Sequence, residues 1–394
     1  MSLEDYSSNG LKSICENCIG NEEYLKSVVR QSASHEICDY CQSQTKTIGF
    51  EKAYELVCNG LVEYSRAVDE LPYNGREGGY LGSTYETHEV VEDLELEAQD
   101  EFLRDIISEL GEHELWCDTD WNQMNDSDVL KYSWSRFAEI VKHKERFVFL
   151  DYDKRTQLKY IDPDTPLPID HLLKMICEWI VEFKLFSTIR KDVEVYRGRQ
   201  TNGGESFVTP EELGTPPKEI AIATRMTPAG IPCFYASSDI KTAAAEILED
   251  TQTSARISLG TWQTQKDMRL VDLTKLPQLP SIFKLEDREK RGKLIFLYHF
   301  KDEVLKPVNK NGQEHIGYIP TQVVSEYIRI MLPKMEKCQI DGIAYPSERS
   351  PGGDCYALFH EAPTRSQSYP TKSEVLRLID SKDLLISKKP DIVI

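Results

Sequence analysis

Four cysteines near the start of the chain constrain its fold more than any other feature. They fall as Cys15-x-x-Cys18 and Cys38-x-x-Cys41, with 19 residues between the pairs. Two intervening residues let a tight turn present both thiolates to one tetrahedral ion, and two such pairs complete a four-sulfur shell. The spacing predicts a small knuckle over about residues 12–45 that holds a structural Zn²⁺. Four protein ligands leave no coordination position for water, so this metal is expected to shape the fold and not to catalyse. The alternatives are four free thiols in a helical hairpin, or a redox pair. The redox reading is disfavoured because neither pair sits at a βα junction. The six other cysteines, among them Cys177 and Cys233, read as buried thiols.

The charge pattern divides the chain. Residues 1–165 hold 35 Asp and Glu against 16 Lys and Arg, so the whole formal charge of −19 falls in that part. An acidic half joined to a neutral half suggests two units with different tasks, which a length of 394 residues also favours. Net negative charge repels phosphates and argues against a general nucleic-acid binder. No run of about 18 apolar residues is present and the start of the chain is acidic, so neither a membrane span nor a secretory leader is expected. The chain reads as cytoplasmic.

Apolar residues spaced three or four apart predict helices over 48–71 and 129–144, and a helix that carries Phe102, Ile106 and Leu110 and is capped by Gly111. The first 150 residues thus read as an acidic, mainly helical domain behind the knuckle. Residues 151–169, with Asp162-Pro163-Asp164 and two more prolines at 166 and 168, read as a linker. Asp170 is then expected to cap an apolar helix ending near Phe186. Short strands are predicted at 193–197, 255–259, 269–273, 294–300, 340–345 and 356–360, and helices at 238–249 and 320–331. That mixture makes the second part, residues 170–364, α+β. Residues 365–394 read as a polar tail with a short helix or strand.

The chemistry-bearing residues lie in the second part. Tyr196-Arg197-Gly198 ends a predicted strand. Arg225 opens the stretch that runs through Tyr235-Ala236, and Glu246 follows Tyr235 by eleven residues on a predicted helix. Pro346-Ser347-Glu348-Arg349 stands at another strand end. Singly, each has an ordinary explanation: a surface ion pair for either arginine, core for Tyr235, an exposed helical charge for Glu246, a turn cap for Ser347. Their order is what matters.

In that order, residues 190–362 resemble the RES domain, a family named for its Arg, Glu and Ser. The part before resembles the HEPN/RES N-terminal domain, on Cys15-x-x-Cys18, Cys38-Asp-Tyr-Cys41, Glu77-Gly-Gly-Tyr80, Trp134-x-x-Phe137 and Arg146-Phe147. The resemblance implies an ADP-ribosyltransferase-like α+β fold and NAD⁺ as substrate. It also implies a place among NAD⁺-degrading toxins of bacterial toxin–antitoxin or phage-defence systems, with an inhibitory antitoxin or regulatory protein as partner and a homo-oligomer as a further expectation. NAD⁺ carries a pyrophosphate that arginine grips through paired donors, so Arg197 and Arg225 are the expected anchors. Tyr235 can stack on the nicotinamide or the ribose. Glu246 is expected to stabilise the oxocarbenium ion formed as the glycosidic bond breaks. Ser347 would hydrogen-bond substrate oxygens or orient Glu246, and need not be a nucleophile, since no His is placed to activate it.

The expected activity is therefore NAD⁺ glycohydrolysis or phosphorolysis, with water or phosphate as acceptor. ADP-ribosyl transfer to a protein and NAD⁺ sensing without cleavage remain alternatives. A ribonuclease of the HEPN type would use Arg-x(4–6)-His, a pattern that Arg30/His35 and Arg136/His143 both satisfy loosely. Gly-x-Gly-x-x-Gly and Walker A sequences are absent, which argues against a Rossmann site and a P-loop.

Overall fold

The computed structural model describes residues 12–119, 126–156, 166–201, 205–248, 254–306, 314–360 and 375–387. The chain forms two compact units. The first takes the described residues up to Val129 together with residues 278–295, and the second takes the others. Helices and sheets both contribute, and the fold class is α+β.

In the first unit, strands Ser13–Cys15, Gln44–Gly49 and His35–Ile37 form an antiparallel sheet with Gln44–Gly49 in the middle. Helices Glu23–Gln31, Phe50–Gly60 and Asp100–Leu110 supply most of the apolar surface. Leu25, Val29, Phe50, Phe102 and Ile106 are buried in one cluster with Ile14. The rings of Tyr40 and Phe50 both meet Phe102 edge-on, at 5.6 and 6.2 Å. Gly111 closes the helix of Phe102, Ile106 and Leu110 as its spacing predicted.

The helix expected over 48–71 stops at Gly60. A Cβ on Gly60 would lie 2.8 Å from the Phe283 ring and 3.0 Å from Leu94, so a close approach requires glycine there. Beyond it, Tyr64–Arg66 is taken up by pairing with Leu115–Asp118, which an extended backbone alone can satisfy. The apolar rhythm past Gly60 therefore does not mark one helix: Leu61 and Leu71 are buried, and Val68 is exposed.

The second unit is built on an eight-stranded sheet. Its order is Leu376–Ser387, Ser254–Thr264, Glu194–Gln200, Phe234–Ser237, Asp354–Leu358, Gly342–Pro346, Met268–Asp272 and Phe186–Ile189. Only Met268–Asp272 and Gly342–Pro346 run parallel, joined through helices Arg288–Leu305 and Ile319–Glu336. Both faces are covered. Val195, Phe234, Ala236, Trp262, Leu270 and Leu358 pack on one, and Ile257, Leu259, Leu384, Ala243 and Ala244 on the other.

Three expectations change here. Residues 294–300 lie inside helix Arg288–Leu305, where Leu294, Leu297, Phe300 and Val304 are buried at helical spacing. Residues 376–387 of the expected tail form the edge strand of the main sheet and pair along Ser254–Thr264. Asp170 does not cap the helix Ile169–Glu182. Its first N–H, on Ile169, donates to the buried Asp153 at 2.8 Å. Asp153 also pairs with Arg136, so the start of the proline-rich stretch is anchored in this unit.

Asp341, just before strand Gly342–Pro346, ties several segments together. It accepts from Lys266 Nζ at 2.9 Å, from the Arg269 N–H at 3.0 Å and from Gln339 Nε2 at 3.0 Å, with His360 Nε2 at 3.4 Å. Burial works to raise its pKa, but the His360, Lys266 and Arg269 contacts outweigh it and bring the value down to about 2. A depressed carboxylate stabilises the fold above its unfolded pKa and loses that contribution as pH falls through the folded one. Asp341→Asn should therefore lower stability at neutral pH by about 2 kcal/mol. The gap between the two melting curves should close between about pH 4 and pH 2. A gap that stays constant down to pH 2 would show that the charge of Asp341 contributes nothing.

Candidate active site

Glu246 is placed by a short helix, Ile240–Ile247. Asp239 caps it by accepting the Thr242 N–H at 2.8 Å. Ala243 and Ala244 are small enough for the helix to lie close on the sheet, against Ile257 and Leu259. Glu246 stays exposed on the side away from that contact. One of its oxygens is held: the buried Ser347 hydroxyl donates to Glu246 Oε1 at 2.6 Å. Ser347 thus meets Glu246 across 101 residues of sequence, and the Cys355 thiol lies within hydrogen-bond reach of both.

Ser347 follows strand Gly342–Pro346, and side chains two apart on a strand share a face. That rule puts Tyr345 beside it. Tyr345 pairs with Cys355, which also pairs with Ser237. Burial pushes the Tyr345 phenol well above its ordinary pKa, and the negative forms of Cys355, Tyr235 and Glu246 push the same way while Arg225 opposes them. Tyr345 therefore sits within electrostatic reach of three of the residues expected in the site. Sequence reading placed Tyr345 at the same strand end as Ser347 but gave it no role, although its position two before Ser347 was the available signal. Burial and Glu246 also raise the Cys355 thiol to about 12, so it is a neutral wall of the site and not a nucleophile.

Tyr235 and Arg225 are joined through a loop. The Tyr235 hydroxyl lies 2.5 Å from Thr224 Oγ1 and accepts the Met226 N–H at 3.3 Å. Helix Ile319–Glu336 fixes the other side of that loop. Gln322 Nε2 donates to the carbonyls of Thr224 at 2.6 Å and Thr227 at 3.1 Å, and Thr321 Oγ1 donates to the carbonyl of Arg225 at 2.7 Å. Pro320 opens this helix, and the two residues after it brace the loop. The Arg225 guanidinium donates to the Val304 carbonyl at 3.2 Å and lies 3.9 Å from Glu348. Burial raises the Glu348 pKa, which Arg225 counteracts and Glu246 reinforces.

Arg197 is placed differently. It alternates with Tyr196, which pairs with Ser237, so it belongs to the sheet face of Val195, Phe234 and Ala236. Its guanidinium lies over the Phe234 ring at 5.3 Å and donates to the Tyr235 carbonyl at 2.8 Å. Burial lowers its pKa to about 10, which leaves it charged at neutral pH. The structure brings Tyr235, Glu246, Ser347 and Arg225 around Tyr345, while Arg197 supports the backbone of Tyr235 from the other face. A cavity of about 990 Å³ opens nearby, lined among others by Met226, Thr227, Ile231, Arg199, Arg329 and Phe359. It shares the Arg225 loop as a wall but does not include Glu246 or Ser347.

The four front cysteines converge. Their sulfurs lie within 4.8 Å of one another, with Cys15 Sγ 3.6 Å from Cys41 Sγ. Two tight turns present them: the Cys18 N–H donates to the Cys15 carbonyl, and the Gln42 N–H to that of Cys38. Cys15, Cys18 and Cys38 are buried and Cys41 is exposed. Four thiols so close can bind a metal ion, and tetrahedral coordination at about 2.3 Å per sulfur fits this spacing. The Arg-x-His pairs do not converge on comparable sites. Arg30 is exposed and bound to Glu16 and Glu23, and Arg136 is paired with buried Asp153 while His143 is exposed.

Comparison with known proteins assigns these two parts. Residues 31–155 match the family described as HEPN/RES N-terminal domain 1, and residues 207–379 match the RES domain. The chain joins a RES domain to a HEPN/RES N-terminal domain. No curated protein and no solved structure matches it. The RES match contains Arg225, Tyr235, Glu246 and Ser347, and Arg197 lies before it. The N-terminal match contains Cys38 and Cys41 and begins after Cys15 and Cys18. The RES domain relates the chain to NAD chemistry. Among the described residues, no helix is long and apolar enough to cross a membrane.

The buried Gln322 amide gives this RES domain a measurable weak point. Gln322→Leu would take its donor from the Thr224 carbonyl and leave the Thr227 carbonyl to the Thr224 N–H alone among backbone donors, at a cost of about 1–3 kcal/mol for a buried polar group. Hydrogen exchange should rise over residues 224–227 before it rises in the sheet. Unchanged protection there would mean that helix Ile319–Glu336 does not hold the loop.

Proposed function

We propose that the RES domain cleaves the nicotinamide–ribose bond of NAD⁺. The observation that carries this reading is the Ser347–Glu246 contact of 2.6 Å, which fixes an exposed carboxylate beside Tyr345, Tyr235 and Arg225. When the bond breaks, its electron pair leaves with nicotinamide and positive charge develops on the ribose carbon. Glu246 stabilises that charge and can accept a ribose hydroxyl. The acceptor oxygen, from water or phosphate, then bonds the carbon and gives up its proton. Tyr235 and Tyr345, both held neutral by burial, offer ring faces to the flat nicotinamide. Arg225 supplies the cation for the pyrophosphate, exchanging Glu348 for the substrate's oxygens. Arg197 acts one step back, by holding the Tyr235 carbonyl. The cavity beyond the Arg225 loop offers room for the rest of a dinucleotide.

Purified full-length protein, incubated with NAD⁺ with and without phosphate, should release nicotinamide, and the mass of the second product identifies the acceptor. Glu246→Gln keeps shape and removes charge. It should still bind NAD⁺ by calorimetry while kcat falls by about 10² or more. Arg225→Ala should mainly raise KM, because the pyrophosphate is charged equally in substrate and transition state. A Glu246→Gln variant that turns over at the parental rate would refute the carboxylate's role. Binding without turnover in the parent would favour an NAD⁺-sensing module, and a labelled protein product would favour ADP-ribosyl transfer. An enzyme that consumes NAD⁺ needs restraint, and an inhibitory partner or the N-terminal domain fills that need in a toxin or phage-defence setting.

We also assign the cysteine cluster to one structural Zn²⁺ held by Cys15, Cys18, Cys38 and Cys41. The ion would link strand Ser13–Cys15 to the turn after His35–Ile37 at the margin of the buried cluster that holds Cys15, Cys18 and Cys38. Elemental analysis of protein purified without chelator should find close to one zinc per chain. Cys38→Ser should lose the metal and raise proteolysis within residues 12–50. Four freely titratable thiols in folded, metal-free protein would rule the site out.

A further inference from the structure

The Glu246 carboxylate is aimed by a clamp whose far end is Thr242. Thr242 lies four residues before Glu246, one turn back on the same helix, and its side chain is buried. The turn that carries Ser347 is bound to this helix at both positions: Ser347 to Glu246 at 2.6 Å, and Ser350 to Thr242 at 3.2 Å. Arg349 adds a bond to the Leu248 carbonyl at the helix end. Gly353 closes the turn by donating its N–H to the Ser350 carbonyl and accepting that of Ser347. A Cβ on Gly353 would overlap the Thr242 hydroxyl, so only glycine lets the turn come this close.

Counting protons gives the clamp a direction. The Thr242 hydroxyl has one proton and two acceptors in range, Asp239 Oδ2 at 2.7 Å and Ser350 Oγ at 3.2 Å. Asp239 is ionised, its pKa held low by the Thr242 N–H and hydroxyl and by Ser238 in spite of burial. The shorter, charge-assisted bond is the stronger of the two. Ser350 Oγ, at 3.2 Å, is the more distant of the two acceptors that share the Thr242 proton. That bond fixes Ser350, whose backbone N–H donates to Ser347 Oγ at 3.0 Å. With its oxygen occupied by that N–H, Ser347 points its own proton at Glu246 Oε1.

We propose that Thr242 and Ser350 are positioning residues of the RES site. They orient the Ser347 hydroxyl, and through it they hold Glu246 in one rotamer. This inference rests on the NAD⁺-cleaving reading for its effect on rate, but the clamp itself can be tested without it. Thr242→Val keeps the branched shape and removes the hydroxyl, Thr242→Ser restores the hydroxyl, and Ser350→Ala cuts the chain one link later.

In full-length protein, Thr242→Val and Ser350→Ala should each lower kcat for nicotinamide release on the order of 10²-fold, the loss a displacement of about 1 Å can cause. KM should stay within about twofold, because neither residue faces the pyrophosphate. Thr242→Ser should recover most of the parental kcat, which a purely structural loss would not reproduce. Crystal structures of parent and Thr242→Val should show the Ser347–Glu246 contact in the first and not in the second. If the contact persists in Thr242→Val, or if both truncations keep the parental kcat, the clamp is overturned. If the parent releases no nicotinamide but the contact is lost on removing the Thr242 hydroxyl, the clamp stands and the reaction reading falls.

Discussion

The close seating of helix Ile240–Ile247 on the main sheet is the contact on which the site depends. Ala243 and Ala244 face the sheet, and on Glu194–Gln200 a Cβ at Gly198 would already lie 2.9 Å from Ile247. This close approach leaves little freedom for the other residues of the helix, the buried Thr242 and the exposed Glu246 included. Thr242 and Glu246, one turn apart, therefore become two fixed posts to which the turn after strand Gly342–Pro346 can bind. A larger residue at 243 or 244 would lift the helix and move both posts together. The chemistry is precise because the packing beneath it is apolar, small and tight.

Coverage of both sheet faces explains where the polar groups are found. Val195, Phe234, Trp262 and Leu358 fill one side, and Ile257, Leu259 and Leu384 the other. Unpaired polar groups are costly in such layers. They collect instead where strands end and loops cross, as with Asp341 before one strand and Ser347 after the same strand. The two differ in what surrounds them. Asp341 is saturated by Lys266, Arg269, Gln339 and His360, so it stabilises. Glu246 is held by Ser347 and exposed, so it is available.

How much of this could be read from the sequence depended on whether a residue's role was local or relational. Cysteine spacing is local chemistry, and the four sulfurs do converge. Gly111 and the apolar row of Phe102, Ile106 and Leu110 were equally legible, because a cap and a stripe are properties of one helix. Glu246 and Ser347 were visible only through their order along the chain. Their contact spans 101 residues and no local pattern encodes it. Residues 294–300 misled because a short apolar run has no period of its own, and the buried spacing that identifies a helix extends on to Val304. Edge strand Leu376–Ser387 was legible only as a short helix or strand, because its apolar residues do not keep to one face: Leu384 and Ile386 are buried while Ile379 and Leu385 are exposed.

The two arginines show the limit most clearly. Both suit a pyrophosphate by chemistry, and each belongs to a segment bound to Tyr235. Strand alternation separates them. Tyr196, paired with Ser237, takes the face of helix Ile240–Ile247, so its neighbour Arg197 must take the other. There it meets the Phe234 ring and reaches back to the Tyr235 carbonyl. Arg225 is freed from that rule because it lies on a loop, and Gln322 and Thr321 can hold the loop's backbone while the guanidinium stays at the site. A cation on a regular strand is committed to one face by its neighbours. Arg225, on a braced loop, is not bound by strand alternation, and its guanidinium reaches the Val304 carbonyl and Glu348 from a backbone held by helix Ile319–Glu336.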